Sequence, residues 1–347
     1  MSDKVHLKDM TLKEMEVFFE NIGEKKFRAK QVYNWLYRGI SGFNEMTDLS
    51  KELREKLNTC AEIGSLKLIQ VQHSKTDETR KYLFGLEDGN SVESVFMKYK
   101  HGNSICISSQ AGCRMGCKFC ASTIGGLCRN LTAGEIIDQI VSVERDTGEK
   151  ISNIVIMGTG EPFDNYDNVS KFINLVNNKE GLNIGMRSIT VSTCGIIPKI
   201  EQFAEDFPQV NLAISLHAPN DIIRNMTMPV NKKYNMKELL NACKDYVKKT
   251  GRRITFEYAL VSGVNDQPVH AEELAERLRG LICHVNLIPL NNVTESGLNG
   301  TSRMQASEFR DRLEKLGISS TVRRELGSDI DAACGQLRLK NYENLEN

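Results

Sequence analysis

The sequence predicts an α/β fold: a partial (β/α)6 barrel preceded by a helical N-terminal domain and a small β extension. Three observations predict it. Beyond Ser104, short apolar runs (ICISS, NIVIMG, SITVS, VNLAIS, RITFEYAL, HVNLIPL) alternate with segments whose apolar residues recur at helical spacing. Continuous apolar strands separated by helices are the pattern of a parallel sheet covered by helices. About six such units fit, short of the eight that close a full barrel. Finally, polar residues follow the strand ends: Ser108, Gly158 to Glu161, Ser192 to Gly195, Ser215 to His217, and Asn291. Parallel α/β folds carry their sites at that rim.

The elements follow in order. Thr11 and Glu14 form a capping-box pattern ahead of Met15, Phe18, Phe19 and Ile22, and Gly23 is placed to end that helix. A second helix begins near Phe27, with Val32, Trp35 and Leu36 on one face. A third includes Leu49, Leu53 and Leu57. From Leu66 to Lys100 the runs LKLIQV, RKYLFGL and SVESVFMKY, with a turn at Asp88-Gly89, read as an antiparallel extension. In the core, Thr132 and Glu135 cap a helix reaching Thr147. Val169, Phe172, Ile173 and Val176 mark the next. Met236 to Val247, Leu274 to Leu278, and Phe309 with Leu313 mark three more, and STVRR is the last strand.

Composition narrows the class. The chain has 347 residues, no formal net charge and 40% hydrophobic residues, enough for a sizeable core. No run approaches the ~18 apolar residues of a membrane span. The start, MSDKVHLKDM, lacks the apolar core of a secretory signal. The expectation is a cytoplasmic protein with no membrane partner. In a reducing compartment, ten cysteines point to metal, cluster or catalysis rather than to structural disulfides. Neutrality argues against a generally sticky nucleic-acid binder and leaves local basic patches open.

The stretch GCRMGCKFCAS places Cys113, Cys117 and Cys120 in a C-x3-C-x2-C spacing at the end of the first core strand. Four thiolates close a structural zinc or an electron-transfer cluster. Three leave one iron of a four-iron cluster without a protein ligand, open to a substrate chelate. A zinc site completed by Cys106, Cys128 or a histidine is the alternative, although this is not a zinc-ribbon spacing and there is no second C-x2-C pair.

With Phe119 just before its last cysteine, this spacing resembles the signature of radical S-adenosylmethionine (SAM) enzymes. The resemblance runs much further. CISSQAGCRMGCKFCAST, MGTGEPFDN, ITVSTCGIIPKI, ISLHAPND, MPVNKKY, EYALVSGVND, HVNLIPLN and DIDAACGQL follow in order over nearly the whole chain. They resemble the RlmN/Cfr family of RNA adenine methyltransferases, in its C2-methylating branch. The resemblance implies a radical SAM-type barrel and a helix-hairpin-helix-like N-terminal domain that helps grip RNA. It implies one 4Fe–4S cluster on Cys113, Cys117 and Cys120. It implies SAM contacts at Gly160, Glu161, Ser192, Ser215, Leu216, His217 and Asn291.

It also implies a chemistry suited to an electron-poor C–H carbon. Adenine C2 cannot attack a sulfonium methyl. In the family, the thiolate matching Cys334 takes a methyl group from one SAM. A radical from a second SAM then activates that methyl for addition to C2. The glutamate matching Glu93, in SVESVFM, removes the C2 proton. The thiolate matching Cys106 attacks the sulfur of Cys334, releasing the base and leaving a transient disulfide. The implied substrates are adenosine 2503 of 23S rRNA and adenosine 37 of tRNA.

Two rivals stay open: C8 methylation of the same rRNA adenosine, as in Cfr relatives, and a non-catalytic, metal-stabilised RNA-binding protein. GEPFDN and SLHAPND favour the C2 branch. Other expectations are large-subunit rRNA and tRNA as partners, an electron donor such as flavodoxin or ferredoxin, and a monomer. Lys25 to Lys30, Lys98 and Lys100, Lys232 and Lys233, Arg252 and Arg253, and Arg323 and Arg324 are candidate phosphate contacts or simply solvated surface. Cys194 stands where relatives more often carry serine, and Asn292 where they often carry proline. The expected division is 1–60 helical, 61–100 β extension, 101–325 barrel, and 326–347 a C-terminal loop and tail bearing Cys334.

Overall fold

The computed structural model describes residues 4–64, 66–100, 102–289, 298–324, 326–327 and 329–330. Cys334, Asn291 and Asn292 lie outside them.

The N-terminal helices are α1 (Leu12–Asn21), α2 (Phe27–Leu36) and α3 (Lys51–Cys60). Thr11 and Glu14 cap α1 reciprocally, and Ser50 caps α3 through the Leu53 N–H. Their apolar faces close on one another: Met15, Phe19, Val32, Leu36, Leu53 and Leu57 are all buried.

The rest is built on one ten-stranded sheet whose spatial order is its chain order. Its strands are β1 (Lys67–His73), β2 (Arg80–Gly85), β3 (Ser91–Tyr99), β4 (Gly102–Ile107), β5 (Ile151–Ile156), β6 (Ile189–Thr193), β7 (Asn211–Ser215), β8 (Ile254–Leu260), β9 (Cys283–Pro289) and β10 (Ser320–Val322). From β1 to β4 the pairing is antiparallel. From β4 to β10 it is parallel. The crossovers carry α4 (Ala133–Thr147), α5 (Tyr166–Asn177), α6 (Ile197–Asp206), the short α7 (Asp221–Thr227) with α8 (Met236–Thr250), α9 (Pro268–Leu278) and α10 (Arg303–Lys315). Six βα units and a closing strand result, as the sequence pattern predicts.

The N-terminal helices dock on the outer layer of this unit. Lys8 pairs with Asp138 of α4, both buried. Lys171 of α5 pairs with Glu14 at 3.0 Å, and Glu180 with Lys30 at 2.9 Å.

The parallel strands correct one expectation. They are not apolar throughout; they alternate. Ile105, Ile107, Ile154, Ile156, Val191, Leu212, Ile214, Phe256, Val285 and Leu287 share one set of register rows and belong to the main core with the helices. The intervening row runs Cys106, Val155, Thr190, then Ser192 beside Ala213, then Ser215, Glu257, Asn286 and Thr321. Since side chains alternate along a strand, this second set shares the opposite face. That face is polar although much of it is buried, which marks it as the site.

Candidate active site

The cysteine loop leaves β4 through a small ribbon, in which Gln110–Gly112 pairs with Leu127–Asn130. Gly112 has φ +81°, and a Cβ there would lie 2.1 Å from the Gly126 carbonyl oxygen. Only glycine fits that crossing, and it brings the Cys113 N–H onto the Gly126 oxygen at 2.9 Å. The Thr123 hydroxyl donates to the Cys120 carbonyl at 2.9 Å and lies 3.3 Å from that of Cys117. Cys113 and Cys117 are buried and Cys120 is partly exposed. Burial pushes the Cys113 thiol up to about 12, with the Cys120 sulfur and Glu161 adding to the effect. Cys117 is raised for the same reasons. The Cys113 and Cys117 thiols are thus held protonated, and metal binding would reverse these shifts and expel the protons.

The second wall is the end of β5. Gly160 has φ +109°, and a Cβ there would lie 2.6 Å from that of Gln110. Behind it, the buried Glu161 carboxylate accepts from the Phe163 N–H at 3.0 Å and from the Cys194 N–H at 2.8 Å. Burial raises its pKa, while these donors and Thr193 pull the other way. Across the rim, the Ser192 and Ser215 hydroxyls stand 3.3 Å apart.

His217 holds a left-handed backbone (φ 54°). Its Nδ1 accepts from the Ala259 N–H at 2.9 Å, and Phe119 packs edge-on with ring centroids 4.8 Å apart. Burial and the Arg224 charge hold its pKa down at about 3. The ring is therefore neutral, with Nδ1 an acceptor and its proton on Nε2. Leu216 beside it is fully buried. Gly160, Glu161, Ser192, Ser215 and His217 thus lie at adjacent strand ends near the cysteine loop, while Leu216 packs into the main core.

Glutamate is ordinarily exposed, but Glu93 is buried. It lies on β3 between two other strands, 3% exposed, with a carboxylate oxygen 3.1 Å from the Lys81 ammonium, itself 0% exposed. Register explains the meeting. Lys81 pairs with Val95, Val95 with Cys106, and Glu93 stands two residues from Val95 on the same face. Lys81, Glu93 and Cys106 therefore face one space. Burial raises the Cys106 thiol, and the cations of Arg323 and Lys81 oppose that rise. Gln139 of α4 fixes the strand end: it accepts from the Ser108 N–H at 2.8 Å and the Ser94 hydroxyl at 2.9 Å, while Ser108 donates to the Glu93 carbonyl at 2.7 Å.

Sequence reasoning missed Lys81 and Gln139. Alternation of Lys81 with Tyr82 and Leu83 gave no sign of which face was solvent. Among the candidate phosphate contacts, Lys26 pairs with Glu20, Lys30 with Glu180, and Lys98 with both Glu78 and Glu149. Those three are held by carboxylates rather than presented singly.

Comparisons agree with this geometry. Residues 5–63 match the family described as the ribosomal RNA large subunit methyltransferase N-terminal domain, and residues 107–278 match the radical SAM superfamily. A probable dual-specificity RNA methyltransferase RlmN of Thermoanaerobacter sp. (strain X514) is 57% identical, over 96% of this chain and 98% of its own. The counterpart from Caldanaerobacter subterraneus subsp. tengcongensis is 58% identical over the same shares. The chain belongs to the RlmN family of radical SAM RNA methyltransferases. A crystal structure of a radical SAM methyltransferase from Sphaerobacter thermophilus superposes with a TM-score of 0.92, at 45% identity over 96% of this chain and 98% of that one.

Membership in the RlmN family implies a 4Fe–4S cluster and SAM, and the residues present fit both. A single zinc ion, at ~2.3 Å per Zn–S bond, draws thiolates to ~3.8 Å of one another. Among the described residues, the ligand atoms gathered within 4.8 Å are those of His6, Glu62 and Glu87, and the three cysteine sulfurs are spread more widely. A larger polynuclear group suits that spread. Cys194 packs against Cys117, but its thiol is engaged with the Glu161 carboxylate. No helix among the described residues is long and apolar enough to cross a membrane.

Proposed function

We propose that this enzyme methylates adenine C2 in RNA, at adenosine 2503 of 23S rRNA and adenosine 37 of tRNA. The observation that carries the reading is the juxtaposition of a buried glutamate and a cysteine, Glu93 and Cys106, on the face that borders the three-cysteine loop. A methyl group delivered to an unactivated ring carbon needs a proton acceptor and a thiol that releases the product, and these two residues supply them.

Cys113, Cys117 and Cys120 would hold the cluster. Bound there, it supplies the electron that splits the SAM sulfonium. The Glu161 carboxylate, buried and fixed by two backbone N–H groups, would take the SAM ammonium. Ser192, Ser215, Leu216, His217 and Asn291 would position the rest of SAM, with the His217 Nε2–H as a fixed donor. Cys334 would carry the methyl group to C2. Glu93 would accept the C2 proton, its charge held in place by Lys81. The Cys106 sulfur would then attack the Cys334 sulfur, breaking its bond to the methylated base and forming a disulfide. The donor of electrons would be a small redox protein such as flavodoxin or ferredoxin, and the enzyme would act as a monomer in the cytoplasm.

The test is mass spectrometry of RNA digested after anaerobic turnover. The expected product is 2-methyladenosine. Exclusive 8-methyladenosine would replace this reading with the Cfr-type one, and absence of any SAM cleavage would overturn both.

A further inference from the structure

Arg224 makes no direct ion pair among the described residues. It lies on α7, 0% exposed. Its Nε donates to the Leu216 carbonyl at 3.2 Å. Nη1 donates to the Asn231 side-chain oxygen at 2.9 Å, and Nη2 to the carbonyls of Cys194 at 2.6 Å and Ser215 at 3.3 Å. Every one of these acceptors is neutral. Among the described residues no carboxylate oxygen stands within 4.0 Å of the guanidinium. The nearest acid along its hydrogen bonds is Asp221, reached only through Asn231, whose amide donates to it at 2.8 Å.

Buried cations are paired, because leaving a charge alone in the interior is among the largest single costs a fold can carry. What Arg224 does face is the cysteine loop. Cys194, whose carbonyl it holds, packs with Cys117 and Met228. Thr227, three residues on along α7, accepts the Lys118 N–H at 2.9 Å, so the helix is bonded to the loop itself. At both the Cys117 and the Cys194 thiols, the Arg224 charge opposes the rise that burial causes.

We infer that Arg224 is the counter-cation of the cluster, buried behind Cys117 to balance its negative charge and to raise its reduction potential. This rests on the proposed loading of Cys113, Cys117 and Cys120. A four-iron core held by three thiolates is a net anion, and becomes more so on gaining an electron. Nearby charge is one of the determinants of its potential. A fixed positive charge therefore favours the reduced form, the form that reacts with SAM. The same side chain ties the ends of β6 and β7 to α7, so charge and geometry are set by one residue.

The experiment is an anaerobic, EPR-monitored redox titration of the reconstituted protein without SAM, with iron and sulfide quantified in each sample. Arg224→Gln removes the charge. Arg224→Lys keeps it. Asn231→Asp leaves Arg224 in place and sets a carboxylate on its Nη1. Arg224→Gln and Asn231→Asp should each lower the reduced-to-oxidised ratio at a given applied potential at least tenfold, ~59 mV for a one-electron couple. Arg224→Lys should stay near wild type. An intact cluster whose potential is unmoved, or moved upward, in Arg224→Gln or Asn231→Asp overturns the inference. If Arg224→Gln does not accumulate as folded protein, Asn231→Asp decides alone. A wild-type protein that takes up no iron would instead overturn the cluster assignment, a separate and visible failure.

Discussion

Replacing Lys81 with methionine removes one half of a buried ion pair and leaves the other half, the general-base candidate Glu93, without it. The two charged groups stand 3.1 Å apart with 0% and 3% exposure. At that distance their attraction is ~5 kcal/mol at an effective dielectric of ~20. Desolvation offsets much of it, so the pair's net contribution is small, but deleting Lys81 takes the ammonium away from a carboxylate that stays buried. Lys81→Met should therefore destabilise the protein by about 3–5 kcal/mol. Lys81→Met with Glu93→Gln, which leaves neither charge, should recover most of that loss. The assay is urea unfolding of wild type, both single variants and the double variant. The midpoints form a double-mutant cycle, read only if the slopes agree. A coupling of at least ~2 kcal/mol is expected. Additive effects, or a Lys81→Met loss below ~1 kcal/mol, would show that the pair is not the closed, low-dielectric unit described here.

Three further expectations concern other parts of the site. His217 titrates near 6.5 when unfolded and at about 3 when folded, so its contribution to stability is present above pH 6.5 and is lost as pH falls toward 3. At pH 5 the loss is ~2 kcal/mol. His217→Asn keeps an acceptor for the Ala259 N–H and tolerates the left-handed backbone, so the variant should lose that much less between pH 7.5 and 5, and identical pH slopes in urea unfolding would contradict the assignment. Gly112→Ala drives a methyl group to 2.1 Å from the Gly126 oxygen, so bound iron in the reconstituted variant should fall to a small fraction of the wild-type value. Cys334→Ala should keep full iron content and lose RNA methylation, and full methylation by that variant would exclude a methyl-carrying cysteine.

Much of this was legible in the sequence because it is local. The capping boxes at Thr11 and Thr132, the Asp88-Gly89 turn and the βα alternation each depend on residues a few positions apart. So does the three-cysteine loop, and its position after the first core strand located the rim. The face of each strand was not legible. Cys106, Ser192, Ser215 and Glu257 share a surface only through pairings between distant segments. Charged residues misled for a related reason. Glutamate, lysine and arginine are ordinarily exposed, so nothing local marks Glu93, Lys81 and Arg224 as buried; long-range contacts enclose them. The ribbon joining Gln110–Gly112 to Leu127–Asn130 escaped notice because its strands are too short to show a period.

The ten-stranded sheet has a join in it. Every strand from β4 onward runs the same way and comes with a helix, whereas β1 to β3 fold back and forth alone against β4. Glu93 and Lys81 belong to the hairpin part, and the three thiols to the helical part. The proposed proton acceptor thus sits on the hairpin strands, and the three-cysteine loop with Cys106 on the parallel part, stitched along one ladder of backbone hydrogen bonds. Such a seam would let the surroundings of Glu93 be altered by reworking a few strands at the margin, while the three-cysteine loop keeps its supports.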